Sequence, residues 1–186
     1  MYGLINSALK NMITEKFGDE KWQEVLVTSK VPEDSFLTMR SYDDAITYAL
    51  VESASIVLGE SPETCLELFG EYWVLETASK NYTALLDAAG TNMLDFIKNL
   101  NALHDRITGT FLSYIPPEFR VENVSEDLYI IHYISTRKGL TSFVVGLLKG
   151  LAIRFNADLD IIDIDNRQVE TGTHNAFKIR VTQIEN

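Results

Sequence analysis

The amino-acid sequence predicts an α+β fold, with a mostly helical amino-terminal half followed by helices and a roughly four-stranded antiparallel sheet. Three observations carry that prediction. From residue 2 to about residue 110, apolar residues recur at steps of three and four, the period of helices with one buried face. Beyond "IPP" at 115–117 the period drops to two, in "EFRVENV", "DLYIIHYIS", "DLDIIDID" and "AFKIRVTQI", with one helical stretch, "GLTSFVVGLLKGLAIRF", among them. The 186 residues, 46% of them hydrophobic, suffice for one domain with a sizeable core divided into two lobes around a cleft.

The first helix is marked by Leu4, Ile5, Ala8, Leu9, Met12 and Ile13, a stripe that stops before Gly18. "DEKWQEVLVTSK" reads as the second. "SYDDAITYALVESASIVLG" reads as the third, with Ser41 as N-cap, acids in the first turn and Gly59 as the stop. Ser61 and Pro62, a cap followed by proline at the first helical position, start the helix "PETCLELFGEYWVLETA". The lobe boundary is expected near Gly59–Ser61, giving residues 1–60 and 61–186. A brief helical piece around "NYTALLDAA" precedes a strong helix from about Thr91 to about Thr110.

Charge narrows the function classes. With 27 acidic against 16 basic residues the net charge is -11, so the surface repels phosphate backbones and anionic lipid. The single cysteine, Cys65, excludes an internal disulfide, and no segment approaches 18 consecutive apolar residues. A reducing cytoplasm is the expected setting. Enzyme signatures are missing: there is no phosphate loop, nucleophile elbow or metalloprotease motif, and Asp105 points about 100° away from its neighbour His104 on a helix.

His104 is one of three histidines. Met93, Ile97, Leu100, His104, Ile107 and Phe111 fall on one face at alternating steps of four and three, so a titratable ring occupies a core position. It is either a core histidine bonded to a backbone carbonyl or a ligand to a metal such as haem iron, since neutral imidazole among apolar residues suits the proximal side of a porphyrin. His132, on a strand, and His174, in the turn "ETGTHN", read as structural or exposed.

The strand "LYIIHYISTRKGL", residues 128–140, ends with Tyr133, Ser135 and Arg137 two residues apart and therefore on one face. Haem carries two carboxylates at the edge of an apolar disc, and a planar guanidinium fork with two hydroxyls would satisfy them. An ordinary strand end whose arginine pairs with a surface acid has the same spacing.

Taken together, the start "MYGLIN", the helix "NLNALHDRI", "IPP" and "YISTR" resemble the H-NOX family, the haem nitric oxide/oxygen binding domains related to the sensor domain of soluble guanylate cyclase. The resemblance extends over the whole chain. It implies haem b between a distal amino-terminal lobe and a proximal lobe, with His104 as proximal iron ligand and Tyr133, Ser135 and Arg137 as propionate anchors. It also implies that Ile5 and Pro117 press on the porphyrin and distort it. Oxygen-binding members place a tyrosine and a supporting asparagine where this chain has Phe143 and Trp73. Leu9 and Leu147 extend the same apolar distal wall, while the Trp73 indole and the hydroxyls of Ser142 and Tyr72 are the remaining candidate donors.

The resemblance thus implies a sensor that binds NO, and CO, but not O2. NO weakens the iron bond to His104, and the lobes then shift to signal to a separate protein, a histidine kinase or a diguanylate cyclase. An O2 sensor or haem carrier on the same fold, and a haem-free interaction module, are the alternatives.

Overall fold

The computed structural model describes residues 1–32, 35–109 and 114–184. Helices α1 (Gly3–Phe17), α2 (Asp19–Ser29) and α3 (Asp44–Leu58) open the chain. Ala8, Leu9, Met12 and Ile13 of the predicted stripe are buried and pack with Trp22, Val25, Leu50 and Ala54 in an amino-terminal apolar cluster. That shared burial, rather than intrinsic propensity, stabilises helices this short. The start of α3 differs from expectation. Asp43 caps it, its carboxylate accepting from the Ala45 N–H at 2.9 Å, because Ser41 is taken up in an antiparallel bridge with Tyr2. Gly59 ends α3 at φ 68°, a conformation that strains a residue bearing a Cβ.

Helix α4 (Pro62–Tyr72) is capped by Ser61, whose hydroxyl accepts from the Thr64 N–H at 3.0 Å. "WVLETA" does not continue it as regular α-helix. Trp73–Ala78 form a π-helical turn, a feature that recurs at functional sites. Short helices α5 (Ser79–Asn81) and α6 (Thr83–Asp87) lead to α7 (Met93–Thr108), capped by Asn92. Thr110, where the sequence placed the end of this helix, and Phe111 of the predicted stripe lie outside the described residues.

The chain finishes with β1 (Glu118–Asn123), β2 (Leu128–Ser135), α8 (Thr141–Arg154), β3 (Ala157–Val169) and β4 (Gly172–Gln183). The sheet is antiparallel throughout, in the order β1-β2-β4-β3. The class is α+β, as predicted. Both late strands run longer than the alternation indicated, so His174 lies within β4, opposite Ile134 of β2, and not in a turn. Ile131, Tyr133 and Ser135 of β2 and Phe177 and Ile179 of β4 form the buried face. Side chains of α7 and α8, including Phe96, Ile97, Leu148 and Leu151, complete a second apolar cluster on it.

Helices α4 and α8 touch backbone to backbone. A Cβ on Gly146 would lie 2.0 Å from the Glu67 carbonyl oxygen, and one on Gly70 would lie 2.1 Å from that of Phe143. This approach sets the Phe143 ring against Phe69 at 5.2 Å, and Trp73, at the start of the π-turn, packs on both apolar clusters.

Candidate functional site

Residues of both clusters line a cavity of about 450 Å³, within the range of about 300–1,000 Å³ usual for small-molecule and cofactor sites. Helix α7 supplies one wall. Ile97, Leu100, His104 and Ile107 all line the cavity, so the stripe legible in the sequence faces a pocket and is not closed over by protein. The Tyr114 and His104 rings meet edge to face with centroids 5.9 Å apart, and the Phe119 centroid lies 6.3 Å from that of His104. Burial pushes the His104 pKa below its ordinary value, against the backbone of Pro117 and the charge of Asp105. The ring is therefore neutral at physiological pH. Its Nδ1 is buried and completes no hydrogen bond, while the Pro117 backbone beside the ring favours its protonated form.

The end of β2 supplies the rim. Tyr133 and Ser135 are buried, and both line the cavity with Arg137 from the following turn. The Ser135 hydroxyl accepts from the Arg137 backbone N–H at 3.1 Å, which fixes the turn. The Arg137 side chain donates to Asp44 Oδ2 at 2.8 Å and to the Ile115 carbonyl at 3.1 Å. Asp44, at the start of α3, also accepts from the Met1 amine and lines the same cavity. Burial raises its carboxyl pKa, but the amino terminus and Arg137 outweigh that and hold it below the usual value. The acid partner foreseen for Arg137 thus exists, and it belongs to the pocket rim. Burial raises the Tyr133 phenol and pushes that of Tyr114 up to about 12, so both are protonated donors.

Ile5, Pro117, Trp73, Phe143 and Leu147 also line the cavity. Leu9 does not, because it is fully buried inside the amino-terminal cluster. Tyr72 and Ser142 are not among the lining residues either. Burial and a hydrogen bond to Glu15 raise the Tyr72 phenol pKa well above its ordinary value, so its hydroxyl is engaged away from the cavity. Two hydroxyls that do line the cavity are committed elsewhere: Thr47 donates to Asn6 Oδ1 at 2.6 Å and Tyr48 to the Lys138 carbonyl at 3.0 Å.

Residues 2–162 match the family described as Haem-NO-binding. The chain belongs to this H-NOX family. This H-NOX chain superposes on a mutant Fe(II) H-NOX protein of S. oneidensis with a TM-score of 0.86 at 20% identity, covering 100% of this chain and 98% of that one. It matches the unliganded Fe(II) H-NOX protein of K. algicida with a TM-score of 0.84 at 20% identity, covering 100% and 99%. A soluble guanylate cyclase of Caenorhabditis elegans is 26% identical over 182 residues, 94% of this chain but 26% of the relative. Soluble guanylate cyclase subunit beta-2 of Rattus norvegicus is 33% identical over 113 residues, 59% of this chain and 17% of that protein. The H-NOX chain therefore spans about a quarter or less of the length of these curated relatives. H-NOX domains are haem-binding gas-sensor domains and not catalytic ones.

The donor set fits haem. An apolar pocket lined by a neutral imidazole, with a guanidinium and two hydroxyls also in its lining, matches an apolar disc with an iron at its centre and carboxylates at one edge. The sequence reading missed three rim or wall residues. Asp44 looked like an ordinary first-turn acid, and Tyr48 and Tyr114 stood outside any motif; only the long-range folding of α3 and the 114–117 segment onto β2 brings them to the cavity.

Proposed function

We propose that this H-NOX domain is an NO-selective sensor that uses haem b, with His104 as the iron ligand and Tyr133, Ser135 and Arg137 as propionate anchors. The carrying observation is that a neutral His104 shares one cavity with that triad. When bound, haem supplies a ferrous iron with an open position for a diatomic gas. Haem b is favoured because one cysteine, Cys65, cannot form the paired-cysteine attachment of a c-type haem.

Selectivity rests on the side chains that face the gas. Phe143, Leu147 and Trp73 form an apolar wall, and Phe143 is held there by Phe69 and by the α4–α8 backbone contact. Bound O2 needs a donor for its partial negative charge, whereas NO and CO do not. Ile5 and Pro117 reach the cavity from α1 and from the segment before β1, positions from which they would press on a bound porphyrin.

Signalling rests on two connections. With haem bound, His104 would tie α7 to the cofactor, and the Arg137–Asp44 pair ties the end of β2 to α3. Loss of the His104 tether would free α7, and the lobes, residues 1–60 and 61–186, would then shift about the cavity. A tenfold bias between the two states corresponds to about 1.4 kcal/mol of coupling. The recipient is a separate cytoplasmic signalling protein, a histidine kinase or a diguanylate cyclase.

Anaerobic absorption spectra of the reduced, haem-loaded chain test this reading. NO and CO are expected to give new Soret bands, and air to give no stable oxy form. A stable oxy spectrum would overturn the NO selectivity, and failure to take up haem would overturn the whole reading.

A further inference from the structure

The cavity does not use the other two histidines. His132 and His174 project from the outer face of the sheet, the face opposite Tyr133 and Ser135, on neighbouring strands β2 and β4. They sit at diagonal positions, since Ala176 is opposite His132 and Ile134 is opposite His174. Their rings are 5.2 Å apart between centroids, and His132 Nδ1 lies 3.0 Å from His174 Nε2. The second nitrogen of His132, Nε2, lies 3.4 Å from Glu122 Oε2 on β1. The His132 side chain is 22% exposed, so solutes reach the pair.

We propose that His132 and His174 form a site for a divalent transition-metal ion, Cu2+ or Zn2+, with Glu122 as the positioning residue. The carboxylate of Glu122 only accepts, so it selects the His132 tautomer with the proton on Nε2 and leaves a lone pair on Nδ1. His174 Nε2 then donates to that lone pair in the metal-free protein. Moving the His174 proton to its own Nδ1 turns the hydrogen bond into two facing lone pairs, since the 3.0 Å between the nitrogens and 5.2 Å between the centroids set the rings nearly head-on. A metal held at about 2.0–2.1 Å by two imidazoles separates the nitrogens by about 2.9 Å at a right angle and by about 3.3 Å at the tetrahedral angle. The observed 3.0 Å lies between them, so the nitrogen spacing suits the ion, and turning both rings about their side-chain torsions aims the lone pairs at one point. A carboxylate behind a ligating histidine is the usual way such a ring is oriented.

Local charge does not oppose a cation. Arg120, opposite His132, is paired with Glu118, and Arg167, opposite His174, is paired with Asp165. The net charge of -11 draws cations to the surface. Among the described residues no three metal-ligating side chains form a ready cage, so water completes the coordination sphere. Two imidazole donors select Cu2+ over Zn2+ and exclude Mg2+ and Ca2+, which take oxygen ligands.

The test uses the haem-saturated chain, so that His104 does not compete for added metal. Cu2+ and Zn2+ are titrated by calorimetry, with Mg2+ as control, and the Cu2+ adduct is examined by electron paramagnetic resonance. One equivalent of Cu2+ with splitting from two nitrogens is expected. That equivalent should be lost in His132→Ala and in His174→Ala, and binding should weaken about 10- to 100-fold in Glu122→Gln. Unchanged stoichiometry in the double His132→Ala, His174→Ala variant, or a wild-type spectrum without two nitrogen ligands, would overturn the proposal. Because haem uptake and gas spectra are read separately, failure of this site leaves the haem reading untouched, and the reverse also holds.

Discussion

Replacing His104 with Leu separates the two meanings a histidine on an apolar stripe can have. In the haem-free chain the ring carries a buried Nδ1 with no partner, and such a group costs about 1–3 kcal/mol. Leucine removes that cost and still fills the site with apolar atoms. It also gives up the edge contact with Tyr114 at 5.9 Å, a kind of contact worth about 0.5–1.5 kcal/mol. The balance is a gain of about 1 kcal/mol, a rise in melting temperature of about 2–4 °C for a chain of this size. Urea and thermal unfolding of haem-free wild type and His104→Leu measure it, and the variant should also fail to retain haem. A haem-free variant less stable by about 2 kcal/mol or more, with haem still held normally, would refute the reasoning and return His104 to the status of a packing residue.

Arg137→Ala removes a charge-assisted donor from the rim, so haem should dissociate about 10- to 100-fold faster, as followed by transfer to an excess of apomyoglobin. Phe143→Tyr places a hydroxyl in the apolar wall and should lengthen the life of any oxy complex in spectra taken under air. Gly146→Ala puts a Cβ 2.0 Å from the Glu67 carbonyl oxygen and should destabilise the fold by about 1–3 kcal/mol or more by urea unfolding. Asp44, held below its ordinary value of 3.8, contributes stability that is present above that pH and lost as the pH falls through the folded value. Asp44→Asn should therefore flatten the acid limb of the stability profile, and an unchanged limb would show that the pair with Arg137 and Met1 does not hold in solution.

What the sequence made legible was periodic or local. The α7 stripe gave the position of His104 because a helix repeats its buried face every three or four residues. The alternation in β2 gave Tyr133 and Ser135 one buried face because strands repeat every two. What it hid depends on contacts between distant segments. Leu9 shares its stripe with Ile5, yet Ile5 reaches the cavity and Leu9 is enclosed by α2, α3 and α4, a distinction that one-helix periodicity does not contain. Ser41 has cap chemistry, but its bridge to Tyr2 leaves the cap to Asp43. The His132–His174 pair follows from the register of β2 on β4, which no local pattern reports. The π-turn at Trp73–Ala78 was equally hidden, since "WVLETA" carries ordinary helix-compatible residues.

The most direct test of the central claim is haem titration of the wild-type chain and of His104→Gly, each with and without imidazole, followed by absorption spectroscopy of the ferrous forms. The wild type should bind one haem per chain with a five-coordinate ferrous spectrum, and His104→Gly should lose that spectrum and regain it when imidazole fills the place of the missing side chain. Retention of the wild-type spectrum in His104→Gly without imidazole would contradict the assignment of His104 as the iron ligand.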